Sequence, residues 1–124
     1  MELAAGLLII FVGVVHIIYG EKQPLAALGL LTSDQTLIGS VRVMSLQGGV
    51  LLLTVGGVHM LSFFGLIALT GFASWIPLGI ICLNLLTFLV TALVKHRELF
   101  AISAVQMLLF TAIITLQALV LAGR

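Results

Sequence analysis

Three ionisable side chains stand out in an otherwise apolar chain. His16 lies near the end of the first apolar run, Glu21 closes that run, and Arg42 opens the second. Ionisable groups within a membrane segment are candidates for a functional site by default. A buried Arg42 would attract an anion or a lipid headgroup, Glu21 could pair with it, and His16 could exchange a proton near neutral pH. These three residues therefore form the candidate functional cluster.

The same residues also have an ordinary structural interpretation. Arg42 would extend its long side chain to the lipid headgroups, Glu21 would be a solvated helix end, and His16 would form a hydrogen bond across helices. The charged run from Lys95 to Glu98 would be a connection that orients the chain. The sequence leaves both interpretations open.

The composition is typical of a membrane protein. Of the 124 residues, 62% are hydrophobic and only 7% are charged, and the mean hydropathy is +1.38. Soluble domains carry roughly 25% charged residues, which this chain lacks. The net charge of +1 provides no basic surface for nucleic acid. We therefore expect the lipid bilayer to be the principal partner and expect no nucleic-acid partner.

Charged residues and prolines divide the chain into four apolar runs, each close to the roughly 20 residues that a spanning helix needs. The first helix is expected to end between Glu21 and Pro24, where charge and proline stop a helix. Ser33 or Asp34 is the expected N-cap of the second helix. We predict one all-α domain, an integral membrane four-helix bundle, with spans at about residues 3–20, 38–59, 76–94 and 99–122.

The positions of the cations predict an orientation. Four of them fall at the connections after the first and third helices: Lys22, Arg42, Lys95 and Arg97. Arg124 falls on the opposite side. The positive-inside rule makes those two connections cytoplasmic, so we predict a multi-pass protein of the cell inner membrane with both termini non-cytoplasmic. The region between Met60 and Pro77 then faces outward, as a hydrophobic turn or as an interfacial helix.

Small residues recur at helical spacing in the first two helices, which lets helix backbones approach each other closely. The predicted packing glycines are Gly6, Gly13, Gly20, Gly49 and Gly56. On the second helix, the face that carries these small residues has Arg42 near one end and His59 near the other. These two residues are roughly 25 Å apart along the axis, so they do not belong to one compact site.

Three amide side chains fall at a similar depth in their predicted spans: Gln47, Asn84 and Gln106. Each lies roughly 12 to 15 Å into its helix, near the middle of the bilayer. Amides at one depth favour hydrogen bonds between helices. We therefore predict interhelical polar contacts among them, with a conduction path as the alternative.

The sequence contains no motif for catalysis, for a cofactor or for a metal. It has no HExxH, GxSxG, P-loop or Rossmann fingerprint, and the single cysteine, Cys82, completes no zinc pattern. His16 and His59 lie at opposite ends of their spans, which disfavours a haem held by both. We expect a non-enzymatic protein without catalytic, cofactor-binding or metal-binding residues.

The run HIIYGE, from His16 to Glu21, is followed about twenty residues later by Arg42. This pattern resembles a group of small uncharacterised bacterial membrane proteins in which HxxxGE closes the first helix. In that group a histidine tends to follow the arginine by about one helical turn, whereas residues 43–47 here contain none. The resemblance implies a four-helix integral membrane layout and draws attention to His16, Gly20, Glu21 and Arg42. It implies no activity.

Three functions are compatible with this sequence. The first is a non-enzymatic accessory, assembly or lipid-associated component that uses the cluster of His16, Glu21 and Arg42. The second is a transporter or channel subunit that acts as a homo-oligomer. The third is a small redox subunit that binds haem or quinone. We rank them in this order, and a second copy of the chain or another membrane protein is the expected protein partner.

Overall fold

The computed structural model describes residues 1–97 and 99–123, and this part of the chain is helical without strands. Helix accounts for 87% of the structure. Four helices among these described residues are long and apolar enough to cross a membrane, which confirms the prediction of an all-α fold with four long apolar helices. Glu98 and Arg124, which belong to the charge pattern above, lie outside the described residues.

Within the described residues, six α-helices, one π-helical turn and one 3-10 turn follow one another along the chain. The α-helices are α1 (Glu2–Gly20), α2 (Ala26–Leu31), α3 (Gln35–Phe63), α4 (Ile76–Val94), α5 (Leu99–Ile102) and α6 (Ala104–Ala122). A π-helical turn (Glu21–Leu25) joins α1 to α2, and a 3-10 turn (Gly71–Trp75) precedes α4. The bounds of α4 coincide with the predicted 76–94.

The first helix does not end between Glu21 and Pro24, contrary to the prediction from charge and proline. In an α-helix the carbonyl of Gly20 would accept a hydrogen bond from residue 24, but proline has no N–H. In a π-helical turn each carbonyl accepts from the N–H five residues further on. The Gly20 carbonyl therefore bonds to the N–H of Leu25 instead. The helical backbone therefore continues through Pro24, giving a helix of 30 residues, Glu2–Leu31.

Asp34 is the N-cap of α3, which settles the choice between Ser33 and Asp34. Its Oδ1 accepts hydrogen bonds from the backbone N–H groups of Thr36, at 2.9 Å, and Leu37, at 3.2 Å. These bonds satisfy two of the N–H groups that a helix start leaves without partners. The cap explains why α3 begins at Gln35 and not at the predicted residue 38.

The region between Met60 and Pro77 is a turn. α3 ends at Phe63, and Gly65 adopts a φ of 71°, a left-handed conformation that glycine adopts without steric cost. Residues 64–70 then lead to the 3-10 turn. Residues 64–75 thus form a turn followed by a five-residue 3-10 helix, and the next α-helix begins at Ile76.

The predicted helix over 99–122 is divided at Ser103. α5 ends at Ile102, Ser103 has φ −102° and ψ 12°, and α6 begins at Ala104. Ser103 takes the N-cap position of α6, but its side chain makes no capping hydrogen bond. Because of this break, the long fourth helix begins later than the apolar pattern predicts.

α1 is the central helix of the arrangement, since it packs against both α3 and α6. α6 also packs against α4, and α4 meets α3, so the order around the bundle is α3, α1, α6, α4. We call the end that holds Glu21 and Arg42 the Arg42 end, and the opposite end the His59 end. The buried core is apolar and contains Ile9, Val12, Leu52, Val55, Ile81, Phe110 and Ile113.

Glycines bring the backbones of α1 and α3 into direct contact. A Cβ atom at Gly13 would stand 3.2 Å from the carbonyl oxygen of Gly49, and one at Gly56 would stand 2.9 Å from that of Gly6. Gly20 packs against the Ser45 side chain. The pairs run in opposite directions along the two helices, so α1 and α3 are antiparallel. The structure thus places all five predicted packing glycines in this interface.

We expect Gly56→Ala to lower the free energy of unfolding by about 1–3 kcal/mol, because the added methyl group overpacks a closed backbone contact. Gly57→Ala is the matched control, since a Cβ there meets nothing within 4 Å. It should leave stability unchanged or raise it slightly, since alanine favours helix. The measurement is unfolding in mixed detergent micelles, followed by circular dichroism. Equal stability of the two variants would contradict the contact.

Candidate functional site

Glu21 and Arg42 form an ion pair at the Arg42 end. Arg42 Nε donates a hydrogen bond to Glu21 Oε1 at 3.0 Å. The contact of Gly20 with Ser45 sets the register of α1 against α3, and it brings Glu21 opposite Arg42. The side chain of Arg42 is 52% exposed and that of Glu21 is 38% exposed. An external anion can therefore reach the arginine while the glutamate orients it.

His16, the third member of the predicted cluster, faces a different part of the bundle. Its Nε2 lies 2.9 Å from the position that a Cβ of Gly48 would take, so the imidazole occupies a notch left by that glycine. His16 is half-buried, and among the described residues it bonds to neither Glu21 nor Arg42. The structure therefore joins two members of the predicted cluster and separates the third.

The other side of His16 borders a cavity between α1 and α6, which we call the α1–α6 cavity. It is open on its outer side, where Val105 is 72% and Tyr19 is 50% exposed. Its volume is about 310 Å³. Four of its lining residues have hydrogen-bonding side chains: His16, Tyr19, Ser103 and Gln106. The other four are apolar: Val12, Val15, Val105 and Leu109. An apolar cavity with a few convergent polar groups is the usual form of a small-molecule site.

Polarity changes along the α1–α6 cavity. Because α1 and α6 are antiparallel, Tyr19 and Ser103 lie nearest the Arg42 end, whereas Val12 and Leu109 lie deepest in the bundle. The sequence identified His16 and Gln106 but gave no reason to select Tyr19 or Ser103. The helix break at Ser103, which helps to shape the cavity wall, leaves no sign in the apolar pattern.

The three predicted amides do not meet at one point. Asn84 and Gln106 line a small pocket of about 20 Å³ between α4 and α6. Gln47 lies apart on the outer surface of α3 and is exposed. Similar depth places residues at one level of a bundle, but the rotation of each helix decides which of them face each other. Here the rotation of α3 turns Gln47 outward.

A buried polar pair that the sequence did not reveal joins α3 to α6. The side chains of His59 and Gln117 are 3.1 Å apart, Nε2 to Nε2, and the residues are 4% and 1% exposed. With the amide nitrogen as donor, His59 Nε2 accepts, and the ring proton is on Nδ1. The residues are 58 positions apart in the chain, so local spacing carries no signal for the pair.

His16 and His59 are too far apart to hold one haem iron together. His59 packs against Gly6 of α1, which is ten positions from His16 and therefore roughly 15 Å away along the helix axis. Within residues 1–97 and 99–123, no group of three or more His, Cys, Asp or Glu side chains is placed to hold a metal ion. A haem held by His16 and His59 does not fit this geometry.

We expect Gln117→Ala to lower the free energy of unfolding by about 1–3 kcal/mol, because it removes a buried hydrogen bond and leaves space in the core. Thr115→Ala on the same helix is the control, since the Thr115 side chain is exposed and bonds to the carbonyl of Thr111 at 2.9 Å. The same micelle unfolding assay compares the two variants. If Thr115→Ala lowers the free energy of unfolding by as much as Gln117→Ala does, the buried pair does not stabilise the bundle.

We expect Glu21→Gln to lower the free energy of unfolding by less than about 1 kcal/mol, because exposed ion pairs contribute little to stability. Lys22→Gln, at an exposed neighbouring position, is the control for removing one charge, here a positive one, at the same end of the bundle. Unfolding is measured for both variants at low and high salt. A loss well above 2 kcal/mol for Glu21→Gln alone would assign the pair a structural role.

No protein-family model, no curated protein and no solved structure matches this chain.

Proposed function

We propose that this chain is a multi-pass protein of the cell inner membrane and acts as a non-enzymatic, lipid-associated component. In this proposal it binds an amphipathic molecule in the α1–α6 cavity. The observation that carries the proposal is the cavity itself, about 310 Å³ in volume, with apolar walls and four hydrogen-bonding side chains. Such a lining suits a molecule with a hydrocarbon part and a polar head.

The gradient of polarity along the cavity supports one orientation of the bound molecule. Its hydrocarbon part would lie against Val12 and Leu109, and its polar head would lie towards Tyr19 and Ser103 at the Arg42 end. A membrane lipid has this arrangement of parts relative to the bilayer surface. The exposed Glu21–Arg42 pair at the same end supplies a cation for an anionic headgroup.

The distribution of cations supports the predicted orientation in the membrane. Lys22, Arg42, Lys95 and Arg97 all belong to the Arg42 end, since they follow α1, begin α3 or follow α4. The positive-inside rule then makes this end cytoplasmic and both termini non-cytoplasmic. The HxxxGE run that carries the resemblance contributes His16 to the cavity and Glu21 to the ion pair, so both features belong to one proposed function.

A quinone is the second candidate ligand, and the His16 side chain is the observation that favours it. The imidazole is half-buried at the edge of an apolar cavity, and it forms no hydrogen bond with the described residues. An imidazole N–H is a suitable donor for the carbonyl oxygen of a lipophilic ring. This variant of the proposal concerns binding and assigns no redox step to the chain.

Native mass spectrometry of protein released from a mild detergent tests the proposal. We expect the wild-type protein to retain an adduct whose mass identifies a phospholipid or a quinone. The double variant His16→Phe, Gln106→Leu should reduce adduct occupancy at least about tenfold, because it removes two polar contacts, each worth about 1 kcal/mol or more.

Thr87→Val is the matched control for this experiment. Thr87 is exposed on α4, and its hydroxyl bonds to the Leu83 carbonyl at 2.9 Å, away from the cavity. Its adduct occupancy should equal that of the wild type. A bare wild-type mass, or full occupancy in the double variant, would overturn binding in the α1–α6 cavity. Unchanged binding to anionic liposomes in an Arg42→Ala, Glu21→Gln variant would remove the headgroup role of the pair.

A further inference from the structure

Polar side chains of two helices meet in the small pocket between α4 and α6, which we call the Asn84 pocket. Three of its lining residues have hydrogen-bonding side chains: Asn84 on α4, Ser103 at the start of α6, and Gln106 in its first turn. The four other lining residues are apolar. None of the three polar side chains forms a hydrogen bond with another described residue. Their donors and acceptors therefore face the pocket without a protein partner in the described chain.

The volume of the Asn84 pocket suits one water molecule. The volume is about 20 Å³, and a water site needs roughly 10–15 Å³ and at least two polar partners. Sites for drug-sized molecules are about 300–1,000 Å³, so a ligand of that size does not fit. Water is therefore the ligand that matches both the volume and the lining of this pocket.

The depth of the pocket makes a bound water favourable. Asn84 lies roughly 12 Å from the start of α4 and roughly 15 Å from its end, which is the interior of the bilayer in the membrane location proposed above. Lipid chains there offer no donor or acceptor, and an amide without a partner is unfavourable in such surroundings. A bridging water supplies both a donor and an acceptor.

The other amide of α6 shows a different arrangement. Gln117, at the His59 end, lies 3.1 Å from the His59 ring and bonds to it directly. The pocket beside this pair leaves no volume for a water molecule. Asn84 and Gln106, by contrast, line a shared pocket with room for water and form no direct bond. The two amides of one helix thus differ in whether water can reach them, which makes Gln117 an internal control.

Gln106 connects the Asn84 pocket to the α1–α6 cavity, because its side chain lines both. An amide has two polar ends, a carbonyl oxygen and an NH₂ group. A water bonded to one end restricts the rotation of the side chain and leaves the other end for a ligand in the cavity. Asn84 does not line that cavity, so any effect it has on the ligand passes through Gln106.

We propose that the Asn84 pocket binds one water molecule that joins Asn84 to Gln106, and that Asn84 thereby positions the Gln106 amide for the ligand of the α1–α6 cavity. The positioning role rests on the proposed function, whereas the water site rests on the pocket alone. Two of the three amides that the sequence places at similar depth then interact through water.

Nuclear magnetic resonance of the protein in lipid nanodiscs tests the water site. The side-chain amide protons of Asn84 and Gln106 should show cross-relaxation with water, and those of Gln117 should show none. Ser103→Ala is a further control, because Ser103 has the only hydroxyl among the residues that line the pocket and a hydroxyl proton exchanges with water. Cross-peaks that disappear in this variant, or a direct contact between the Asn84 and Gln106 amides, would overturn the water site.

Native mass spectrometry tests the positioning role. Asn84→Leu should lower the occupancy of the cavity ligand about threefold to tenfold, because Gln106 loses the bond that orients it, and should also remove the water cross-peak of Gln106. Asn84→Ser keeps a hydroxyl for the water and should retain most of both signals. Thr87→Val, at an exposed position of the same helix, should change neither. An unchanged Gln117 signal in each variant shows that the bundle remains folded.

The possible outcomes distinguish the water site, the positioning role and the proposed function. Full ligand occupancy in Asn84→Leu, or equal loss of ligand in Asn84→Leu and Asn84→Ser, would overturn the positioning role alone. A bare wild-type mass together with water cross-peaks would overturn the proposed function and the positioning role with it, and would support the water site. Retained ligand without water cross-peaks at Asn84 and Gln106 would overturn this inference and leave ligand binding in the cavity intact.

Discussion

The direct contact between the backbones of α1 and α3 is the constraint on which the rest of this structure depends. Gly13 against Gly49 and Gly6 against Gly56 fix both the register and the rotation of the two helices. The register brings Glu21 opposite Arg42. The rotation points the glycine face of α3 inward and therefore turns Gln47 outward. One close-packed interface thus determines where the ion pair forms and which face of α3 stays open.

The sequence predicted the parts of the fold that depend on average hydropathy and on local hydrogen bonding. Four long apolar helices and the Asp34 cap follow from residue types along the chain. Charge and proline gave no sign that the helix continues through Pro24. It continues because the Gly20 carbonyl bonds to the N–H of Leu25 in a π-helical turn, in place of the N–H that Pro24 lacks. The break at Ser103 was missed because a single polar residue does not interrupt an apolar pattern.

In the candidate site, too, the sequence predicted features that depend on nearby residues and gave no sign of contacts between distant ones. The pairing of Glu21 with Arg42 was inferred from their charges and from the ends of the predicted helices. The separation of His16 from that pair depends on the notch at Gly48, and the bond between His59 and Gln117 depends on how α3 lies relative to α6. Such contacts join distant parts of the chain, and helix rotation, which sets them, cannot be read from depth alone.

The π-helical turn links the ion pair to the backbone of the first helix. α1 contains 19 residues, or about 28 Å of helix, and the π-helical turn follows it directly. The regular hydrogen-bond ladder changes in this turn, and such a change is a common cause of helix bending. Glu21 is the first residue of the turn, so any bend there moves the carboxylate relative to Arg42. The curvature of the first helix and the geometry of the pair are therefore mechanically coupled.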